Sequence, residues 1–92
     1  MEAEGKYLYV TECNFEEILN REKTFEIRKV SEGIKTGDKV VLVECNECTD
    51  EQTHRYMTVE IGETHEFVHH LVMSVIPLDF IDDKGIVHNL KR

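Results

Sequence analysis

Ninety-two residues, 40% of them hydrophobic and only one a proline, suit a single globular domain (1–92) and leave no room for a second. The net charge of −8 argues against non-specific polyanion binding, and no apolar run approaches the ~20 residues that a membrane helix needs. The acidic start Met1-Glu2-Ala3-Glu4-Gly5 has neither a basic n-region nor a hydrophobic h-region, so a flexible tail at 1–5, a cytoplasmic location and three free cysteines are expected.

Lys6 to Val10 is rich in strand formers and reads as a first strand. From Thr11 to Asn20 the period changes: Phe15, Ile18 and Leu19 fall at i, i+3 and i+4, which predicts a short helix. Asn14 with Glu17 resembles a capping box, and Thr11 is a competing N-cap. Lys23 to Lys29 then alternates strictly. A half-buried strand is expected there, with Phe25 and Ile27 in the core and Thr24, Glu26 and Arg28 in a row on the opposite face.

Ser31-Glu32-Gly33 reads as a loop, and Lys35-Thr36-Gly37-Asp38 as a tight turn with Gly37 at positive φ. Lys39 to Glu44 is nearly all apolar, as expected of a central strand covered on both faces. Cys45 to Thr53 reads as a hairpin loop, and His54 to Ile61 as a strand with Met57, Val59 and Ile61 on one face. Gly62-Glu63-Thr64 interrupts, and Leu71 to Ile76 forms a fifth strand ended near Pro77. After a turn at Asp82-Asp83-Lys84-Gly85, a short closing strand follows at Gly85 to His88. The fold class is therefore α+β, mainly β: a small barrel or strongly bent sheet of five to six strands, with one short helix after the first strand.

Three groups of residues could carry chemistry. Cys45-Asn46-Glu47-Cys48 followed by His54 supplies part of a zinc set, but a tetrahedral site needs a fourth ligand that the spacing does not identify. Two incidental thiols in a polar loop explain the pattern more simply. His65-Glu66-Phe67-Val68-His69 matches H-E-x-x-H literally, yet that motif needs a long helix, and surface histidines from His65 to His70 are the plainer expectation.

The Lys23 to Lys29 strand is the third group. Between Arg21 and Lys39 stand six cations (Arg21, Lys23, Arg28, Lys29, Lys35, Lys39) against four anions (Glu22, Glu26, Glu32, Asp38), so one locally basic segment lies in an acidic chain. A surface ion pair worth under about 1 kcal/mol is the plain reading of that strand. A site for an anionic or polar ligand is the functional one. Lys23 could serve there as a base or nucleophile if partly buried beside Arg28, or as a simple donor if paired with Glu26.

Phe15 and Ile18 on a short helix, Lys23-Thr24-Phe25-Glu26-Ile27-Arg28-Lys29, Gly37-Asp38 and Val40 to Glu44 together resemble the ASCH domain of the PUA-like superfamily. The likeness is to a small branch whose motif reads G-K-K-T-F-E-I-R-K, and it covers roughly residues 6 to 61. It implies a small PUA-like β-barrel with a cleft lined by Lys23, Thr24, Glu26, Arg28 and Lys29, receiving RNA or a nucleoside- or nucleotide-like molecule without a cofactor.

Some ASCH proteins are amidohydrolases acting on N4-acetylcytidine through a lysine, a threonine and a glutamate. Lys23 matches that lysine, whereas Glu26 stands in the threonine's place, Thr24 at a neighbouring position, and Arg21 where the family usually has glycine. The resemblance therefore implies a binding module more than an enzyme. A small amidohydrolase with Lys23 and Glu26 at its centre is the alternative, and an acidic protein-interaction domain without a small ligand is the second.

Overall fold

Strand-forming residues open the chain as β1 (Lys6–Thr11), and Thr11 turns the backbone directly into a helix, α1 (Glu12–Leu19). The computed structural model describes residues 6–29 and 33–90, so the expected tail at 1–5 and Ser31-Glu32 of the expected loop lie outside the described residues. Five further strands follow: β2 (Phe25–Lys29), β3 (Lys39–Cys45), β4 (Gln52–Phe67), β5 (His70–Ile81) and β6 (Val87–Asn89). They form one curled half-barrel sheet in the order β1-β3-β4-β5-β2, with β6 also beside β5. Among the described residues only β1 and β3 run parallel; the other neighbours are antiparallel. Mainly β with one short helix after the first strand is the fold class the sequence predicts.

Val40 and Leu42 of β3 are fully buried between β1 and β4, and Met57, Val59 and Ile61 of β4 line the core as the alternation predicts. Phe15 and Ile18 of α1, which packs on β1, β3 and β5, join this core, both completely buried. Thr11 wins the capping competition, its Oγ1 accepting the Asn14 N–H at 3.3 Å, which frees the Asn14 side chain for another partner. Gly37 takes φ 91° in its turn, as expected.

Three expectations are corrected. First, Phe25 and Ile27 point outward, 45% and 48% exposed, while Glu26 is only 5% exposed. A period of two decides which residues share a face and leaves open which face is inside. Here the inner position goes to the carboxylate, because two cations converge on it at the edge of the sheet. Second, β4 does not stop at Ile61. It continues through a bulge to Phe67, so His65 and Glu66 lie on a strand and the helix that H-E-x-x-H requires is absent there.

Third, β5 runs through Pro77, from His70 to Ile81. Its outer edge is paired to β2 as far as Val75, whose N–H donates to Thr24 O, and to β6 from Leu78 onward. Pro77 falls between the two partners, next to a register shift against β4, where a missing N–H leaves no ladder bond unmade.

The bulge in β4 depends on close approach at Gly62. A Cβ there would overlap Ser74 Oγ, which accepts the Glu63 N–H at 2.9 Å. Gly62→Ala is expected to cost about 1–2 kcal/mol in urea unfolding, because the serine must turn away and abandon that bond. In a Ser74→Ala background the same change should cost much less; equal costs in both backgrounds would refute the assignment.

Candidate functional site

The site grows from the end of α1. Arg21 takes φ 63° just past the helix, a conformation that favours glycine, and Glu22 and Lys23 both donate their N–H groups back to Glu17 O. This stop delivers Lys23 beside the helix and starts β2 two residues later. Lys23 Nζ donates to Asn14 Oδ1 at 3.0 Å and stands 3.4 Å from Glu26 Oε1. Arg28 Nη2 lies 3.1 Å from Glu26 Oε2 and donates to the Tyr9 carbonyl at 2.7 Å.

Lys23, Glu26 and Arg28 therefore converge where the half-barrel opens. β1 and β2 are the two ends of the sheet order, and an arginine side chain rather than a backbone bond joins them. Two atoms of the cluster are buried without a hydrogen-bond partner: Glu26 Oε1, which has only the longer charge contact with Lys23, and Arg28 Nε. An acceptor and a donor left unmade at one place are costly, and such groups call for an explanation.

The other expected ligand contacts separate. Thr24 is exposed and shares with Lys23 a cavity of about 230 Å³ bounded by Ile18, Arg21 and Ser74. Lys29 is exposed and alternates with Arg28, on the outer face with Phe25 and Ile27. A larger cavity of about 670 Å³ reaches Tyr9 and Thr11 at the end of β1 and is bordered by Cys45, Asn46, Glu47, Asp50 and Gln52. That volume falls in the range of small-molecule sites.

The cysteine loop is tied by the Asn46 side chain. Asn46 Oδ1 accepts the N–H groups of Cys48 and Thr49, at 2.8 and 3.1 Å, a side-chain-built turn that leaves Cys48 exposed and Cys45 half-buried. Among the described residues no three of the His, Cys, Asp and Glu side chains come together as a metal site, so Cys45, Cys48 and His54 do not converge. His65, His69 and His70 are all exposed near the β4–β5 turn, as expected of surface histidines.

The strongest electrostatic feature is one the sequence reading passed over. Glu44, 1% exposed at the end of β3, receives Arg55 Nε at 2.8 Å and Nη2 at 2.6 Å, together with the Thr53 hydroxyl. Arg55 also bonds Glu16 of α1 at 2.6 Å and lies over Phe15 and Phe80, 4.9 and 5.6 Å from their ring centres. Burial pushes the Glu44 carboxyl up, but the hydrogen bonds from Arg55 and Thr53 and the arginine charge outweigh it and hold the group below its usual range. The signal was present: a carboxylate ending an apolar run predicted to be covered on both faces needs a cation. This assembly locks α1 to the sheet.

Missing from the sequence reading of the site itself were Asn14, read as a cap, and the Tyr9 carbonyl, which no residue pattern announces. Among the described residues no helix is long and apolar enough to cross a membrane. No protein-family model and no curated protein sequence matches this chain.

Proposed function

We propose that the domain is a PUA-like, ASCH-type binding module that holds RNA or a nucleotide-sized ligand in the opening between β1 and β2. One observation carries this reading: a buried carboxylate clamped by Lys23 and Arg28, with an acceptor at Glu26 Oε1 and a donor at Arg28 Nε both unmade, in a cluster whose Arg28 bonds the carbonyl of Tyr9, itself a lining residue of the larger cavity. A domain gains nothing in stability by leaving such groups unpaired, whereas a ligand edge would complete them. The acidic remainder of the chain restricts ligands to this place.

The test is a substitution that removes the donor without stacking two carboxylates. Arg28→Glu would set a second anion against buried Glu26, so Arg28→Gln is preferred. It should weaken binding of short RNAs or nucleosides at least about tenfold, the worth of one charge-assisted bond, in a domain that stays folded because Lys23 still pairs with Glu26. Binding equal to that of the parent would remove Arg28 from the site.

The amidohydrolase reading rests on Lys23 and Thr24 sharing one cavity. Against it, the Lys23 ammonium is already engaged by Asn14 and Glu26. Release of cytidine from N4-acetylcytidine, lost in Lys23→Ala, would favour catalysis over binding alone.

A further inference from the structure

We propose that the cavity of about 230 Å³ past the end of α1 is a second site, in which Arg21 holds a small oxyanion, a phosphate group free or on a short ester. The inference goes beyond the binding function proposed above and does not depend on it. Arg21, Lys23, Thr24 and Ser74 supply the polar lining of this cavity, and its other lining residues are apolar.

All four polar residues have hydrogen-bond donors left to give. The Arg21 guanidinium makes one bond, Nη2 to the Leu90 carbonyl at 3.3 Å, and keeps most of its donors. Lys23 Nζ donates to Asn14 and faces Glu26 at 3.4 Å, which leaves a third N–H. Ser74 Oγ accepts the Glu63 N–H, so its own proton is available, and Thr24 stands exposed at the rim. Donors and positive charge together call for an acceptor that carries negative charge. No carboxylate lines the cavity among the described residues. The carbonyls at the end of α1, which would repel an anion, are taken up: Asn20 bonds Glu16 O, Arg21 bonds Ile18 O, and Glu22 and Lys23 both bond Glu17 O.

The backbone at Arg21 points the same way. Its φ of 63° lies in the left-handed region, where glycine is at ease and a side chain is crowded. The chain holds an arginine there although its one bond is long and exposed. The cavity gives that guanidinium a reason which the Leu90 bond does not. Other cavities lack this combination. The one at the end of β1 has Glu47 and Asp50 in its wall and no cation. Lys6 borders a third, of about 270 Å³, and is held by Asp38 at 2.9 Å.

The experiment titrates the intact domain with inorganic phosphate at constant ionic strength, followed by amide chemical shifts. Binding should saturate with Kd of about 1 mM or tighter near 50 mM salt, weaken several-fold near 300 mM, and move the amides of 21–24 and 74–76 most. Competition by ethyl phosphate at the same amides distinguishes an ester from the free ion as the source. Arg21→Gly removes the guanidinium and suits the backbone. It should bind phosphate about tenfold more weakly or worse, with a melting temperature at or above that of the parent. Thr24→Val should weaken binding about threefold.

Shifts that stay linear to about 20 mM phosphate, or that spread evenly over cations elsewhere, would overturn the inference. So would unchanged affinity in Arg21→Gly. A melting temperature several degrees lower in that variant would make the Leu90 bond the reason for the arginine and overturn it equally. None of these results bears on nucleoside binding, which Arg28→Gln tests separately.

Discussion

Arg55→Ala should unfold in urea with a loss of about 3–5 kcal/mol, the cost of stranding a buried charge. A domain of this length has only about 5–10 kcal/mol in total, so the variant should sit near the edge of stability at room temperature. The reason is local. Glu44 is 1% exposed, and Arg55 supplies two of its three side-chain hydrogen bonds; Thr53 alone cannot hold a carboxylate in the core. Arg55 also ties Glu16 to the sheet and covers Phe15, so α1 should loosen with it.

The sign of the pH dependence separates this account from simple loss of packing. In the parent, the Glu44 carboxyl is held below its usual range, so its contribution is present above the unfolded-state value near 4.3 and lost as pH falls through the lower folded value. In Arg55→Ala the arginine's hydrogen bonds and charge are gone and only the Thr53 hydroxyl opposes burial, the largest influence on the group, which raises it. The variant's deficit should then shrink on acidification from pH 7 toward pH 5. A deficit that stays constant over that interval would show that packing against Phe15 and Phe80, and not the stranded charge, accounts for the loss.

Glu26→Met should do the opposite to stability and far more to binding. Replacing a whole buried ion pair by apolar side chains is often neutral or stabilising, and removing the carboxylate alone should come close to that, between no change and a gain of about 2 kcal/mol, where its cations keep other partners and reach solvent. The cations left behind are not stranded, because Lys23 keeps Asn14, Arg28 keeps the Tyr9 carbonyl, and both side chains are more than a fifth exposed. Nucleoside binding should fall about 10–100-fold, the worth of a charged acceptor. Such a gain in stability with a loss of affinity is the mark of a residue kept for a ligand. If Glu26→Met instead destabilises the domain by several kcal/mol, the clamp is structural, and the site must be sought at the larger cavity beside Tyr9.

Local rules carried much of the architecture. Phe15 and Ile18, spaced for one helix face, are the helix residues that disappear into the core, and Met57, Val59 and Ile61 alternate inward as written. Gly37 adopts the positive φ its turn required. These follow from covalent geometry and from how far apart side chains of one sign of hydropathy stand, which neighbours in sequence settle among themselves.

Where a long-range partner decides, the chain alone was silent or misleading. Pro77 reads as a strand end, yet it sits inside β5 because β2 and β6 divide that strand's outer edge around it. Gly62 reads as an interruption and is a bulge that lets β4 continue. Glu44 was legible as a buried acid, and Arg55, eleven residues on, becomes its partner only when β3 and β4 pair across the shifted register after Val43. The shared face of Thr24, Glu26 and Arg28 was written in the alternation of one strand. That Glu26 turns inward, that Lys23 joins it from just before β2, that Asn14 and the Tyr9 carbonyl complete the cluster, and that an acceptor and a donor remain unmade were decided by the curl of the sheet, which brings β2 at the far end of the order within reach of β1. Sequence determines which residues share a face because that depends on backbone periodicity; only the tertiary fold decides which face is buried and what it meets, because that depends on strands far apart in the chain.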